Sequence, residues 1–264
     1  MRHHLRLRRT AIAAVCLATA ATLGLTACGS ETKKDGAAGT SDKGGSAAAK
    51  EPFAGLSGGE IADKALDATS DASSLRVKGE VTDEASGLLR MDLALDTKGR
   101  CAGTMGTAEE GSIELIIPGD TAYMKYDEKF LRSQSKGEPA ADVQAGVDMM
   151  ADRWVKTKVT SADAKEIAGF CDLDSLLAEF KETGSAARRG GTTTVDGTPA
   201  IELTESDGKD KYTIYVATKG KPYLLKVDKA SGGKPESLAF TDYDKPVKAT
   251  APTGDVLDLD KLGS

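Results

Sequence analysis

Leu89-Arg90-Met91-Asp92-Leu93-Ala94-Leu95-Asp96 carries a large apolar side chain at every second position. A period of two with one apolar face marks a strand half buried in an antiparallel sheet. The same beat continues outward from this stretch. Leu75, Val77 and Val81 precede it around Gly79. Cys101, Gly103 and Met105 follow, then Ile113, Leu115 and Ile117, then Ala122, Met124 and Tyr126. Glycine-containing turns near 87, 99, 111 and 119 give the roughly 8–12-residue spacing of a meander. A second meander lies further on. Thr193–Val195 and Ala200–Thr204 flank the hairpin dipeptide Asp196-Gly197. Tyr212, Ile214 and Val216, then Tyr223, Leu225 and Val227, then Leu238 and Phe240 continue it, with turns at Asp207-Gly208, Lys219-Gly220 and Gly232-Gly233.

Helical signals lie before and between the meanders. Ser57-Gly58-Gly59-Glu60 has capping-box spacing, and Ile61, Ala62, Ala65 and Leu66 recur at helical intervals, so a helix is expected at about 58–71. Gly55-Leu56-Ser57-Gly58-Gly59 also fits the nucleophile-elbow pattern, but that elbow needs a preceding strand and a histidine partner. Ala140–Ala151, with Val143, Val147 and Met150 on one face, is expected to be a second helix. Arg153–Thr157 reads as a short strand carrying the single tryptophan, Trp154. Leu173, Leu176, Leu177 and Phe180 at i, i+3, i+4 and i+7, behind Asp172 or Asp174 as cap, give a third helix at about 172–181. Val256, Leu257, Leu259 and Leu262 form a short closing segment. About ten strands and three helices make one α+β domain. A meander with one apolar face must pair into a sandwich, close into a barrel, or curve around helices.

The chain has 264 residues, 35 Lys and Arg, 41 Asp and Glu, and a net charge of −6. Residues 1–27 hold four arginines and no acid, which leaves the remainder more acidic still. Such a chain is a poor counterion for phosphate, which argues against nucleic acid as a partner. The only two histidines, His3 and His4, lie in the first nine residues. Without them, Ser-His-Asp and Cys-His catalysis and histidine-ligated metals are excluded from the remainder.

Met1–Arg9 is basic, and Thr10–Leu25 is uncharged and rich in alanine. This is the expected build of a secretory signal over 1–27, too short and too weakly apolar for a stable span. Leu25-Thr26-Ala27-Cys28 follows directly and resembles a bacterial lipobox, which makes Cys28 the expected lipidation site. Two or more acyl chains anchor a protein stably. The expected location is therefore the outer face of the cell membrane. Residues 28–52 contain no large apolar side chain before the end of the segment, and read as a flexible tether of roughly 25–30 Å reach. The folded domain is expected over 53–264. Cys16 leaves with the signal, so Cys101 and Cys171 remain. They form either a disulfide or two buried thiols. The oxidising compartment and the even number favour the bridge, across a loop of about 70 residues.

The order of elements resembles the LolA/LolB-like lipoprotein carriers, in particular the LppX/LprG-type lipoproteins. The resemblance is carried by Ser74-Leu75-Arg76-Val77-Lys78-Gly79, Gly119-Asp120-Thr121-Ala122-Tyr123-Met124, Asp152-Arg153-Trp154-Val155-Lys156 and Val195-Asp196-Gly197-Thr198-Pro199-Ala200, and covers about residues 56–262. It implies a curved, unclosed antiparallel β-barrel with helices on the concave face, and a lipid or acylated ligand held there. The residues expected to line such a cavity are Leu89, Met91, Leu93, Leu95, Met105, Ile113, Leu115, Met124, Trp154, Ile214, Val216, Leu225 and Phe240. Tyr123, Tyr126, Tyr212, Tyr215 and Tyr223 are candidates for its mouth, each with an apolar body and a polar tip. The disulfide does not follow from the resemblance; it would tie the first meander to the central helix.

Three functions compete on these grounds. The first is an anchored lipoprotein that shelters an apolar molecule, with membrane, lipid and an envelope protein as partners. The second is an interaction or sensor lipoprotein with a solid core. The third is an enzyme without histidine, for which the acids Asp255, Asp258, Asp260, Asp172 and Asp174 are the only clusters. Neither cluster has metal-loop spacing. No catalytic residue, metal or cofactor is therefore expected, and the first reading is preferred.

Overall fold

The computed structural model describes residues 51–83, 87–182, 186–230 and 235–262. The signal segment, Cys28, the tether as far as residue 50, the Gly232-Gly233 turn and the Phe180 side chain lie outside these. The first meander forms β1 (Ser74–Asp83), β2 (Gly87–Asp96), β3 (Cys101–Thr107), β4 (Gly111–Ile117) and β5 (Thr121–Tyr126). After two helices comes β6 (Trp154–Lys158). The second meander forms β7 (Arg188–Val195), β8 (Thr198–Asp207), β9 (Asp210–Ala217), β10 (Leu224–Ala230) and β11 (Glu236–Thr241), and β12 (Val256–Asp258) ends the sheet. The helices are α1 (Gly58–Ser70), α2 (Glu128–Gln134), α3 (Ala140–Met150), α4 (Ala162–Gly169) and α5 (Leu173–Glu182), with a last 3₁₀ turn at Leu259–Lys261. Among the described residues no helix is long and apolar enough to cross a membrane.

All twelve strands join one sheet in the order β12-β6-β5-β4-β3-β2-β1-β11-β10-β9-β8-β7. The strand β1 sits in the middle because it pairs with β2 on one side and with β11 on the other. Strands β12 and β7 are the two edges and do not meet, so the curved sheet stays unclosed. Among the described residues the count is twelve strands rather than about ten, and five helices rather than three. The closing segment is itself a strand, and it lies parallel to β6. One pair of the sheet is thus parallel where an all-antiparallel barrel is expected. The chain reaches that far edge by a long connection after β11, and a strand arriving this way is free of the hairpin constraint that enforces antiparallel pairing.

Alternation decides which residues go inside. Leu75 and Val77, Leu93 and Leu95, Leu115, Met124, Val155, Ile201 and Leu203, Val216 and Phe240 are all buried. They meet Ile61 and Ala65 of α1 and Leu177 of α5 in one core. The alternate positions carry Arg76, Asp92, Glu114, Lys125 and Lys156, which pair across neighbouring strands on the outer face, and Lys226, which pairs with Asp228 along its own strand. The Asp196-Gly197 turn is built as expected: both residues have positive φ, 46° and 83°, the backbone of a tight hairpin.

The helix α1 begins where the sequence places it. The Ser57 hydroxyl accepts from the Glu60 backbone at 3.2 Å, and the Glu60 carboxylate accepts from the Ser57 backbone at 2.7 Å. Ser57 is therefore a cap and not a nucleophile. Arg189 of β7 holds the segment just before it, donating to the carbonyls of Pro52, Phe53 and Leu56. Gly58 sits so close to β7 that a Cβ would lie 2.2 Å from the Ala187 carbonyl oxygen. At the other end of the domain, the Asp244 carboxylate accepts from the Ser73 backbone, the Tyr223 hydroxyl and Lys221. These bonds hold its carboxyl well below the usual range and pin the long connection beneath β1.

Two helices escape the sequence reading, for different reasons. The helix α2 has seven residues and buries only Leu131, too little for a periodic signal. The helix α4 did leave one: Ser161 caps the Ala164 backbone, and Ala164, Ile167 and Ala168 fall at i, i+3 and i+4. The α4–α5 elbow holds Cys171, which is bonded to Cys101 at the start of β3.

Two stability changes follow. Gly58→Ala would gain about 1 kcal/mol at an open helical position; here the clash with the Ala187 carbonyl reverses the sign, so urea unfolding is expected to show a lower midpoint. Replacing Cys101 and Cys171 together by serine opens a loop whose ends are 70 residues apart. The midpoint is expected to fall by the equivalent of about 4 kcal/mol on the chain-entropy estimate.

Candidate functional site

The alternating strands and the missed helix α4 together build a cavity. Its floor is the inner face of β2, β1, β11, β10 and β9. Register brings the floor residues together: Val81 lies opposite Leu89, Gly79 lies between Met91 and Leu238, and Val227 lies between Leu238 and Ile214. Gly79 lets β1 and β11 approach closely: a Cβ there would lie 1.9 Å from the Ser237 carbonyl oxygen. The roof is the elbow of α4 and α5, which supplies Glu166, Gly169, Phe170, Ser175 and Leu176. The cavity is open on one side and has a volume of about 550 Å³, within the roughly 300–1,000 Å³ of small-molecule sites. The α5 N-terminus is fixed by Asp172, whose carboxylate accepts from the Ser175 backbone at 2.7 Å. Leu173 and Leu177 turn down into the core while Leu176 faces the cavity.

The cavity has an apolar body and a polar end. Val81, Leu89, Met91, Phe170, Leu176, Val227 and Leu238 form the body. Tyr212, Lys229 and Glu236 form the end. The Lys229 ammonium lies 3.3 Å from the Asp210 carboxylate and 3.8 Å from that of Glu236. It also stands 5.9 Å from the centre of the Tyr212 ring. Burial opposes the Lys229 charge, but these acids outweigh it and hold the ammonium above its ordinary value. Burial likewise pushes the Tyr212 phenol up, and the acids add to that push against Lys229.

The residues expected to line a cavity divide into three groups. Leu89 and Met91 do line it. Leu93, Leu95, Met105, Ile113, Leu115, Met124, Ile214, Val216 and Phe240 point to the same side of the sheet but are buried in the packed core. Trp154 and Leu225 are absent from both. Trp154 alternates with the buried Val155 and Thr157, so it lies on the outer face, half buried, with the Lys125 ammonium 5.0 Å from its ring centre. Leu225 is displaced by an irregularity of register between Leu224 and Lys226. The extra residue shifts the parity of β10, so Leu224 and Val227 are buried in place of an evenly spaced set.

Among the tyrosines, Tyr212 alone lines the cavity. Tyr126 is buried and stacks on Phe130, with ring centres 5.3 Å apart. Tyr223 stacks on Tyr243 at 3.9 Å, and burial pushes the Tyr243 phenol upward. Glu166 and Phe170 were missed because α4 was missed; the cap Ser161 and the spacing after it were the available signal. Four of the five acids in the two candidate clusters have structural partners. Asp172 caps α5, Asp255 pairs with Arg153, Asp258 pairs with Lys156, and Asp260 accepts from Thr157. Among the described residues no three His, Cys, Asp or Glu side chains stand together in a way that would hold a metal ion.

No family model and no curated protein matches the chain. Among solved structures it is similar to the Mycobacterium tuberculosis lipoprotein LppX, at 14% identity and a TM-score of 0.47, over 73% of this chain and 97% of that one. It is similar to LprF from Mycobacterium bovis at 12% identity and a TM-score of 0.48, over 75% and 97%. A weaker likeness, at 12% identity and a TM-score of 0.33, is to the Pseudomonas aeruginosa MucA/MucB complex, over 74% and 61%. At these values the likenesses carry no functional argument, and the description of the fold rests on the strand order above.

Proposed function

We propose that this protein is an envelope lipoprotein, anchored through acyl chains on Cys28, that shelters a lipid or an acylated molecule in the cavity between its concave sheet and the α4–α5 roof. The observation that carries the reading is the cavity itself: about 550 Å³, with Val81, Leu89, Met91, Phe170, Leu176, Val227 and Leu238 among its lining residues. Burial of an acyl tail supplies the driving force, at about 0.8 kcal/mol per CH₂. The mixed wall suits one amphiphile, with its tail along Leu89, Met91 and Leu238 and its head at the polar end. Met91 is unbranched and adapts to an irregular partner. No bond is made or broken in this role, so the protein acts as a binding module and not as an enzyme. The tether over 28–52 keeps the domain within reach of the lipid surface, where a ligand is loaded or passed on. An envelope protein partner is part of the proposal.

The test is native mass spectrometry of the chain carrying Cys28→Ser, followed by organic extraction. A stoichiometric adduct that extracts as a lipid is expected. Met91→Trp, which fills the cavity floor, is expected to lose most of that adduct while keeping the fold by circular dichroism. A clean mass, unchanged after incubation with total membrane lipid, would replace the proposal with a solid-core interaction protein.

A further inference from the structure

The polar end of the cavity bears on which head group an amphiphile held there carries; this inference rests on the cavity reading above. Among the described residues Lys229 is the sole cation that lines the cavity. Its charge is already met twice, by Asp210 and by Glu236. Glu166 adds a carboxylate from the roof. Glu205 lies opposite Tyr212 in the β8–β9 register, on the face that Ile201 and Leu203 turn inward. Its Oε2 is buried and has no hydrogen-bond partner. Glu205 is not among the lining residues, and its carboxylate adds to the negative field at the polar end from the neighbouring strand β8.

These facts set the sign of the electrostatic term. An anionic head entering the cavity finds no free ammonium among the described residues and meets a surplus of carboxylates. A cationic head that donates hydrogen bonds meets partners of opposite sign, in a recess where solvent and salt screen less than at an open surface. The acids are too dispersed to hold a metal ion, so the field acts on the head of a bound amphiphile.

We propose that the cavity selects amphiphiles with a cationic, hydrogen-bond-donating head, a primary ammonium, over anionic ones with the same tail. The amphiphile is held by both halves of the site, the tail by the apolar body and the head by the carboxylates around Lys229.

Calorimetry on the chain carrying Cys28→Ser, at neutral pH and low salt, tests this with three probes of equal tail below their micelle concentrations: tetradecylamine, tetradecanol and tetradecanoate. The amine is expected to bind at least about tenfold more tightly than the carboxylate, with the alcohol between them. Glu205→Gln with Glu236→Gln is expected to narrow that ratio, and Lys229→Gln to widen it. A purely structural effect would shift both affinities together and leave the ratio unchanged. Equal affinities, or tighter binding of the carboxylate, would overturn the head-group proposal and leave the cavity reading standing. Failure of all three probes to bind would overturn both. Methylamine is expected not to bind; if it bound as well as tetradecylamine, the site would be one for free amines and the amphiphile proposal would fall.

Discussion

An open sheet with one apolar face cannot bury that face against itself. This constraint organises the whole molecule. Most strands put their buried aliphatic side chains on one side, and the two edge strands do not pair with each other. Helices must therefore cover the concave side. The helices α1 and α5 do so tightly, with Ile61, Ala65 and Leu177 packed to full burial. The α4–α5 elbow does so at a distance, and the gap it leaves is the cavity. Core and cavity are two outcomes of one requirement, set by how closely each helix approaches the sheet.

The Cys101–Cys171 bond lies where that approach is decided. It joins the first residue of β3 to the elbow between the two roof helices. Leu173 and Leu177 anchor the same helix by packing. The roof is thus held at one end, while Phe170 and Leu176 look into the cavity. A bridge at this place limits how far the elbow can lift, and ligand exchange by lifting of the roof would have to pivot about it.

The outer face follows a different logic. Arg76 with Asp92, Lys125 with Glu114, Lys156 with Asp258 and Lys226 with Asp228 sit across strands or beside one another in solvent. Exposed pairs of this kind add little stability each. They mark the face as wet and leave the hydrophobic effect to act on the concave side alone. Inside, the same charge types at Lys229, Asp210 and Glu236 are few and partly shielded from solvent.

The sequence by itself determined the strands whose pattern is local. Strict alternation from Leu89 to Asp96, the Asp196-Gly197 turn and the Ser57–Glu60 cap each depend on neighbours within a few residues, and each was legible. It also determined the shortage of histidine, which is a matter of composition alone. Tertiary structure alone decided what depends on distant partners. Trp154 and Val155 are both apolar, so the alternation of β6 had two readings until pairing with β5 and β12 chose Val155 for the inside. Leu225 lost its place to an irregularity that no local pattern announces. Leu93 and Leu89 share one strand and one face, yet the first is core and the second lines the cavity. The difference is the height of the roof above each. That height is set by α4, α5 and a disulfide joining residues 70 apart in the chain, a contact between distant segments that periodicity does not record.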